Sequence, residues 1–167
     1  NRFSEDIDVY ISKEDKKINI FFENLEKRGF KILKKRIKEN SIYSNLKTNE
    51  IEVRFEAVFK EIKGALREYE NADGVLSNVF TLTPEQLVKE KIEAYFGRRK
   101  IRDLYDIYFL LRYIKDKENI KQEILKFIKN FVVPSDEDNL NAIILTPPIP
   151  TSKEIFNYIK KWEKQNI

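Results

Sequence analysis

Residues 83–92 read TPEQLVKEKI, and the periodicity of the chain changes at this stretch. Thr83 is a suitable N-cap, Pro84 suits the first helical position and Gln86 can complete a capping box, so a helix is predicted over 84–96. Before this helix apolar residues mostly alternate with polar ones, and after it they recur at helical spacing. The stretch therefore divides the chain into two parts, which we predict as domains over residues 1–82 and 83–167.

The residues before Thr83 predict a sheet that carries one helix. In DIDVYI, residues 6–11, apolar side chains alternate with Asp6, Asp8 and Tyr10, which is typical of a half-buried strand. An amphipathic helix is predicted over 14–28, where it ends before a glycine. Further strands are predicted, the last two joined by a turn at 71–74. They cover residues 30–37, 41–46, 51–56, 62–69 and 76–82.

The residues after Thr83 predict a helical half. Helices are expected over 101–115, 118–131 and 152–164, with a proline-rich connector between 134 and 150. The fold class predicted for the whole chain is α+β, with a mixed β-sheet first and a helical C-terminal half after it.

Composition restricts the chemistry that the chain can perform. It has 167 residues with no cysteine and no histidine, which excludes disulfides, most structural zinc sites and catalysis by imidazole or thiolate. Catalysis would therefore depend on carboxylates, Lys, Arg, Tyr or Ser, together with a hard cation that prefers oxygen ligands. No apolar run is long enough to span a bilayer and no signal peptide is evident, so we expect a cytoplasmic protein without membrane association. Because the chain begins at Asn1 and has no methionine, we also expect residues upstream of it.

The positive charge is unevenly distributed along the chain. The net charge of +4 is too small to indicate a nucleic-acid partner. Basic residues are nevertheless concentrated at 31–38 and at 98–102, and such clusters suit contacts with phosphates. A solvated surface explains the first cluster equally well, so both interpretations stay open.

Asp6 and Asp8 are the first candidate site residues. Side chains two positions apart on a strand point the same way, about 6–7 Å apart. Two carboxylates so placed suit a magnesium ion that also binds phosphate oxygens. Glu52 and Glu56 lie on the polar face of a later predicted strand and are candidates for a further ligand. The alternative is a solvated strand face in which Arg54 is a cross-strand partner of these acids.

Charged residues interrupt the apolar faces of two predicted helices. Lys91 falls within the apolar arc of its helix, so its ammonium group either extends to solvent or is directed at a ligand such as a triphosphate. Asp103 and Asp106 share one face near the start of the next helix, where the helix dipole favours an acid by about 0.3–1 kcal/mol. Because a buried charge costs several kcal/mol unless it is paired, we expect Lys91 or Arg102 to form an ion pair with one of the two aspartates.

Three separated stretches together carry a family resemblance. They are RFSEDID at 2–8, TPEQLVKEKI at 83–92 and RDLYD at 102–106. They resemble the first carboxylate strand, the helix with a motif lysine and the Arg-Asp-x-Tyr-Asp signature of the AbiEii/AbiGii toxin family, which has the DNA polymerase β-like nucleotidyltransferase fold. In that family a Gly-Ser or Gly-Gly turn precedes the first strand. Here all the glycines follow Asp8, so the turn is expected upstream of Asn1.

The resemblance implies a nucleotidyltransferase that takes a nucleoside monophosphate from a nucleoside triphosphate to an acceptor hydroxyl. Asp6 and Asp8 would hold Mg²⁺ or Mn²⁺. Ser4, Lys91 and Arg102 would bind the nucleotide.

The resemblance also implies that Asp103 or Asp106 positions the site or acts as a base, and the choice between them stays open. RNA, including tRNA, is a candidate acceptor, and a cognate antitoxin is a candidate partner. An alternative function is a nucleotidyltransferase fold that has lost catalysis and binds RNA or a protein. A purely structural helical domain with incidental charges is a third interpretation, and it leaves the position of Lys91 unexplained.

Overall fold

The computed structural model describes residues 6–12, 17–71, 73–144 and 147–165. These residues form two compact units, one that ends at Lys63 and one that begins at Gly64. The α+β class is confirmed, because the first unit contains a mixed sheet and the second is mostly helical. Ser4, which the resemblance assigns to nucleotide binding, lies outside the described residues.

The sheet of the first unit has the strand order β1-β4-β3-β2. Strand β1 is parallel to β4, whereas the β4–β3 and β3–β2 pairs are antiparallel. One helix, α1, lies between β1 and β2 in the chain, and the part of the predicted helix before residue 17 lies outside the described residues. The elements are β1 (Asp6–Ile11), α1 (Ile18–Lys27), β2 (Lys31–Ile37), β3 (Ser41–Thr48) and β4 (Ile51–Phe59).

Helix α1 packs on one face of this sheet. Phe22, on the apolar side of the helix, is fully buried, and its ring meets that of Phe55 on β4 with the centroids 6.3 Å apart. Ile42 and Leu46 on β3 complete the same core. Because side chains alternate along a strand, the residues between these apolar positions point to the opposite face. That opposite face is polar.

A β-bulge in β2 decides which of its basic residues reach the polar face. Ile32 pairs with the core position Leu46, but the register shifts before Lys34, which pairs with Asn45. Without the extra residue, Lys34 would share the core face with Ile32. With the bulge, the Lys34 ammonium lies 5.2 Å from the centre of the Tyr43 ring on the polar face.

The second unit begins with the predicted hairpin, formed by β5 (Ala65–Glu70) and β6 (Leu76–Thr81). The side chain of Asn71 organises the turn, since its Oδ1 accepts hydrogen bonds from the amides of Asp73 and Val75, both at 2.9 Å. Gly74 follows with φ of +78°, a conformation that glycine adopts without strain.

Helices build the rest of this unit around one core. The predicted capping box is confirmed, because the Thr83 hydroxyl accepts from the Gln86 amide and the Gln86 side chain accepts from the Thr83 amide. The core is contributed mainly by the apolar faces of four of these helices. The helices are α2 (Pro84–Arg98), α3 (Ile101–Leu110), α4 (Lys121–Lys129), α5 (Leu140–Ile143) and α6 (Ser152–Lys164). None of the helices in the described ranges has both the length and the apolar composition needed to cross a bilayer.

The helical half differs from its prediction at three places. The helix predicted over 101–115 is α-helical only to Leu110 and continues as a 3₁₀ turn. The helix predicted over 118–131 begins with a 3₁₀ turn before α4. The predicted connector contains α5, whose Leu140 is buried in the core. One helical turn is too short to produce a visible apolar repeat, which is why the sequence did not predict it.

A buried carboxylate fixes the start of α2. Oε1 of Glu85 accepts hydrogen bonds from the amides of Lys115 and Asp116, at 2.9 and 3.2 Å. Burial by itself would raise the pKa of Glu85, but these amides, its own amide and the Thr83 hydroxyl outweigh burial and lower that pKa. The ionised carboxylate therefore joins α2 to the segment after α3.

We expect Glu85→Gln to remove a pH-dependent contribution of about 1 kcal/mol to the free energy of unfolding. Because the folded pKa is lowered, this contribution is present above the pKa of the unfolded chain and is lost as the pH falls through the lower, folded value. Urea unfolding should show that the free energy of unfolding of the wild type exceeds that of the variant at about pH 6. This difference should disappear at about pH 3. Glu118→Gln, at an exposed carboxylate, is the control. The same difference in the free energy of unfolding at both pH values would contradict the prediction.

Candidate active site

The two acids of β1 lie beside a glutamate on the polar face of the sheet. In the parallel β1–β4 ladder Asp6 is opposite Arg54 and Asp8 is opposite Glu56. Paired residues on neighbouring strands share a face, so Asp6, Asp8 and Glu56 all lie on the side away from α1. Asp8 is exposed, and the side chain of Asp6 is 22% exposed.

Arg54 is the cation that faces these acids. Its Nε lies 3.1 Å from Oδ1 of Asp6, and its Nη1 lies 3.8 Å from Oε1 of Glu56. The first contact is close but badly aligned, so Asp6 Oδ1 is buried without a hydrogen bond from any described residue. A buried oxygen without a hydrogen bond destabilises the folded protein by about 1–3 kcal/mol, and a bound cation would offset this loss. Glu52, further along β4, instead contacts Lys47 at 3.6 Å.

The donor set on β1 fits a hard divalent cation. Among the described residues no group of three or more acids is arranged to hold a metal ion. Magnesium, however, commonly takes one or two carboxylates from the protein and the remaining oxygens from phosphates and water. Asp6 and Asp8 provide such a pair, and Glu56 is next to Asp8 across the ladder.

Charge changes sign across this polar face. One row of paired residues runs from Asp8 through Glu56 and Tyr43 to Arg36, so it begins with acids and ends with a base. A cavity of about 420 Å³ lies over the basic end. Its lining includes both acidic and basic side chains, and the charged or aromatic members are Lys34, Arg36, Lys38, Tyr43 and Glu56.

A second cluster of charges lies between α2 and α3. The ammonium of Lys91 is 2.8 Å from Oδ2 of Asp106 and 3.9 Å from Oδ1 of Asp103. The predicted ion pair between Lys91 and an aspartate is therefore present. The Lys91 side chain is 26% exposed, so its ammonium group is held at the helix interface and still reaches solvent.

Arg98 completes this cluster, and sequence reasoning did not single it out. Its Nε and Nη2 each donate a hydrogen bond of 2.7 Å to the carboxylate of Asp103. Arg102, the alternative partner that the sequence predicts, is exposed on α3. Arg99 has left-handed backbone torsions at the end of α2, so the chain turns there and brings Arg98 back to α3. The only signal in the sequence was that Arg98 belongs to the basic cluster at 98–102.

The two aspartates have different environments. The side chain of Asp103 is 0% exposed and is held by both hydrogen bonds from Arg98, whereas that of Asp106 is 14% exposed and lies against Lys91. Asp103 is thus placed to orient its neighbours, and Asp106 is the carboxylate that a solute can approach.

Comparison with known proteins agrees with the resemblance seen in the sequence. A family model described as "Nucleotidyl transferase AbiEii toxin, Type IV TA system" matches residues 1–154, most of the chain. No curated protein sequence matches it significantly.

Proposed function

The chain belongs to the AbiEii family of nucleotidyl transferase toxins of type IV toxin–antitoxin systems, and from this premise we propose that it is an active, metal-dependent nucleotidyltransferase. It would transfer a nucleoside monophosphate from a nucleoside triphosphate to an acceptor hydroxyl. The acceptor oxygen forms a bond to the α-phosphorus, the bond from that phosphorus to the bridging oxygen breaks, and pyrophosphate leaves with both bonding electrons. The acceptor proton passes to a base or to water.

The observation that carries the proposal is the carboxylate pair on β1. Asp6 and Asp8 share one face of the sheet, and Oδ1 of Asp6 lacks a hydrogen bond from the described residues. These two side chains would hold magnesium or manganese, with Glu56 as the neighbouring carboxylate. When bound, the metal would neutralise phosphate charge and lower the pKa of the attacking hydroxyl. Glu52 is less favoured as a ligand, since it contacts Lys47.

The cluster on α2 and α3 would act on the triphosphate. An ammonium group has three donors, so Lys91 can keep its bond to Asp106 and still donate to a phosphate oxygen. Arg98 and Asp103 would position Lys91, and Asp106 is the more exposed of the two aspartates in the cluster. Arg102 is exposed and free to contact phosphate as well.

We expect Lys91→Met to raise the KM for the nucleoside triphosphate about 10–100-fold, because hydrogen bonds from charged donors contribute about 1.5–3 kcal/mol. Steady-state kinetics with varied triphosphate measures this effect. Lys89→Met is the matched control, since Lys89 is on the same helix and its ammonium contacts Glu123 at 3.2 Å on the surface. Equal kinetic constants for both variants would remove Lys91 from nucleotide binding.

The proposal is tested by incubating the protein with each α-labelled nucleoside triphosphate, magnesium and total RNA. Label should appear in an RNA band with one or a few triphosphates, and chelation of the metal should abolish it. Induced expression should also slow growth of a host that lacks the cognate antitoxin that family membership implies. If no triphosphate labels RNA, protein or the toxin itself, and if expression is harmless, the protein is not an active transferase.

One observation favours the alternative of a catalytically silent module. Arg54 already contacts Asp6 and Glu56, so a fixed guanidinium group could replace the metal. The two functions differ in their response to magnesium. An active enzyme should gain thermal stability when magnesium is added, because ligands that bind only the native state stabilise it. The silent module should not, and Arg54→Gln should then restore the metal response.

A further inference from the structure

The hairpin of β5 and β6 has no core behind it. Five of the six residues in each strand are exposed, and apolar side chains are among them, with Phe80 81% exposed and Leu76 61% exposed. In the part of the chain that the structure describes, this sheet contains only these two strands. A two-stranded hairpin is at best marginally stable in water, whereas three or more strands form a stable sheet. A further strand would therefore stabilise this hairpin.

The two edges of the hairpin differ in charge. Strand β5 carries Arg67, Glu68 and Glu70, whereas the eight residues from Val75 to Leu82, which include all of β6, carry no charge. Edge strands of native proteins are usually protected from pairing by charged side chains, prolines or bulges. Strand β6 contains no proline, and its register with β5 is unbroken. The edge at β5 is thus protected, and the edge at β6 is open to another strand.

The backbone groups that β6 offers at this edge belong to alternate residues. The amide of Asn71 donates to the carbonyl of Val75 at 3.0 Å, so these two residues form a hydrogen-bonded pair, and the register continues without a shift along β6. Hydrogen-bonded and non-hydrogen-bonded pairs alternate in an antiparallel ladder. The N–H and C=O groups of Leu76, Asn78 and Phe80 therefore point away from β5.

A second copy of β6 matches this row of backbone groups. If the two strands run antiparallel about a two-fold axis at Asn78, each Asn78 lies opposite the other, and Leu76 of each copy lies opposite Phe80 of the other. The outward groups of the three residues then meet in about six hydrogen bonds between the chains. On one face, Phe80 lies between Leu66 of its own chain and Leu76 of the second copy, which covers its exposed ring.

Charge also favours a second copy and limits the assembly to two chains. Because β6 is uncharged, the new ladder places no like charges opposite each other. The outer strands of the joined sheet are both β5, whose charged residues oppose the addition of more strands. One strand pair is smaller than a standard interface of about 800 Å² per partner, so we expect a dissociation constant in the micromolar range.

We propose that β6 is a dimerisation strand, which joins two copies of this chain in a four-stranded antiparallel sheet of order β5-β6-β6-β5. The inference does not depend on the proposed transferase function, since it uses only the hairpin.

Charge exchange at the two-fold axis tests this pairing. Asn78→Lys and Asn78→Glu each place like charges opposite each other, so either variant alone should dimerise at least about tenfold more weakly than the wild type. A mixture of the two should recover the dimer, because Lys then faces Glu, and recovery also shows that both variants are folded. Asn141→Lys and Asn141→Glu make the same changes at an exposed residue of α5 and should dimerise like the wild type. Sedimentation equilibrium at about 5–200 μM protein measures the association.

Amide hydrogen exchange, followed by NMR, identifies the strand that pairs. The amides of Leu76, Asn78 and Phe80 should exchange more slowly in concentrated than in dilute protein, because hydrogen bonds between chains protect them. Glu68 is opposite Asn78, so its amide points outward at the β5 edge. That amide should exchange at the same rate at both concentrations.

A chain that stays monomeric throughout this concentration range would overturn the proposal. So would a dimer that survives Asn78→Lys, or variants that fail to associate when mixed, since association would then use another surface or another register. Protection of the Asn78 amide that is equal at all concentrations would overturn it as well, because the edge would then be covered within a single chain.

Discussion

Replacing Asp8 by asparagine is expected to reduce nucleotidyl transfer at least about 10³-fold. A metal ion held by carboxylates stabilises the transition state by several kcal/mol. Each 1.36 kcal/mol of lost stabilisation lowers the rate about tenfold. Asp8 is the better target of the β1 pair because it is exposed and because Arg54 contacts Asp6 rather than Asp8. Transfer of labelled nucleotide to RNA, measured under single-turnover conditions, gives the rate.

The fold should survive this change, since the Asp8 side chain is exposed. We expect magnesium to raise the thermal stability of the wild type and to have no such effect on Asp8→Asn, which separates loss of the metal from loss of structure. Asp138→Asn, at an exposed acid in the helical unit, makes the same chemical change and should leave both activity and the magnesium response intact. An Asp8→Asn enzyme with more than a tenth of wild-type activity would end the assignment of Asp8 to the metal.

Replacing Arg98 by methionine is expected to destabilise the helical unit by about 3–5 kcal/mol. The variant would leave the carboxylate of Asp103 buried, with Lys91 3.9 Å away as its nearest remaining cation among the described ion pairs. Asp103→Asn should cost less, about 1–3 kcal/mol, because the released arginine is already 45% exposed and can be solvated. The more exposed partner of this pair thus matters more for stability.

Urea unfolding followed by tryptophan fluorescence measures these effects in the right part of the molecule. Trp162 is the only tryptophan, and it lies on α6 of the same unit. The double variant of Arg98→Met and Asp103→Asn should recover most of the stability lost in Arg98→Met, since no buried charge remains unpaired. The electrostatic explanation is wrong if Asp103→Asn lowers the free energy of unfolding more than Arg98→Met does. It is also wrong if the loss in the double variant equals the sum of the losses in the two single variants.

Much of the candidate site could be predicted because its residues lie within short local patterns. The strand alternation in residues 6–11 places Asp6 and Asp8 on one face, and the helical periodicity of α2 shows that Lys91 interrupts an apolar arc. Arg98 could not be predicted in the same way. Its contact with Asp103 requires the left-handed turn at Arg99 and the packing of α3 on α2, neither of which leaves a periodic signal.

The face of the sheet on which the basic residues of β2 lie is a further outcome that the sequence alone did not predict. Strict alternation from Ile32 would have placed Lys34 against the core, and only the bulge assigns it to the polar face. A bulge forms where strand pairing needs an extra residue, so it depends on the partner strand β3 as much as on β2 itself.

The sequence by itself determined the order of the strands and of the longer helices, the capping box at Thr83, the family and the identity of the candidate acids, because spacing and local capping act over a few residues. The tertiary structure decided the sheet order, with β1 parallel to β4 and Glu56 beside Asp8, and the choice of Arg98 rather than Arg102 as the partner of Asp103. Those outcomes depend on which distant segments pack together. Burial and hydrogen bonding select among several pairings that the local pattern allows equally.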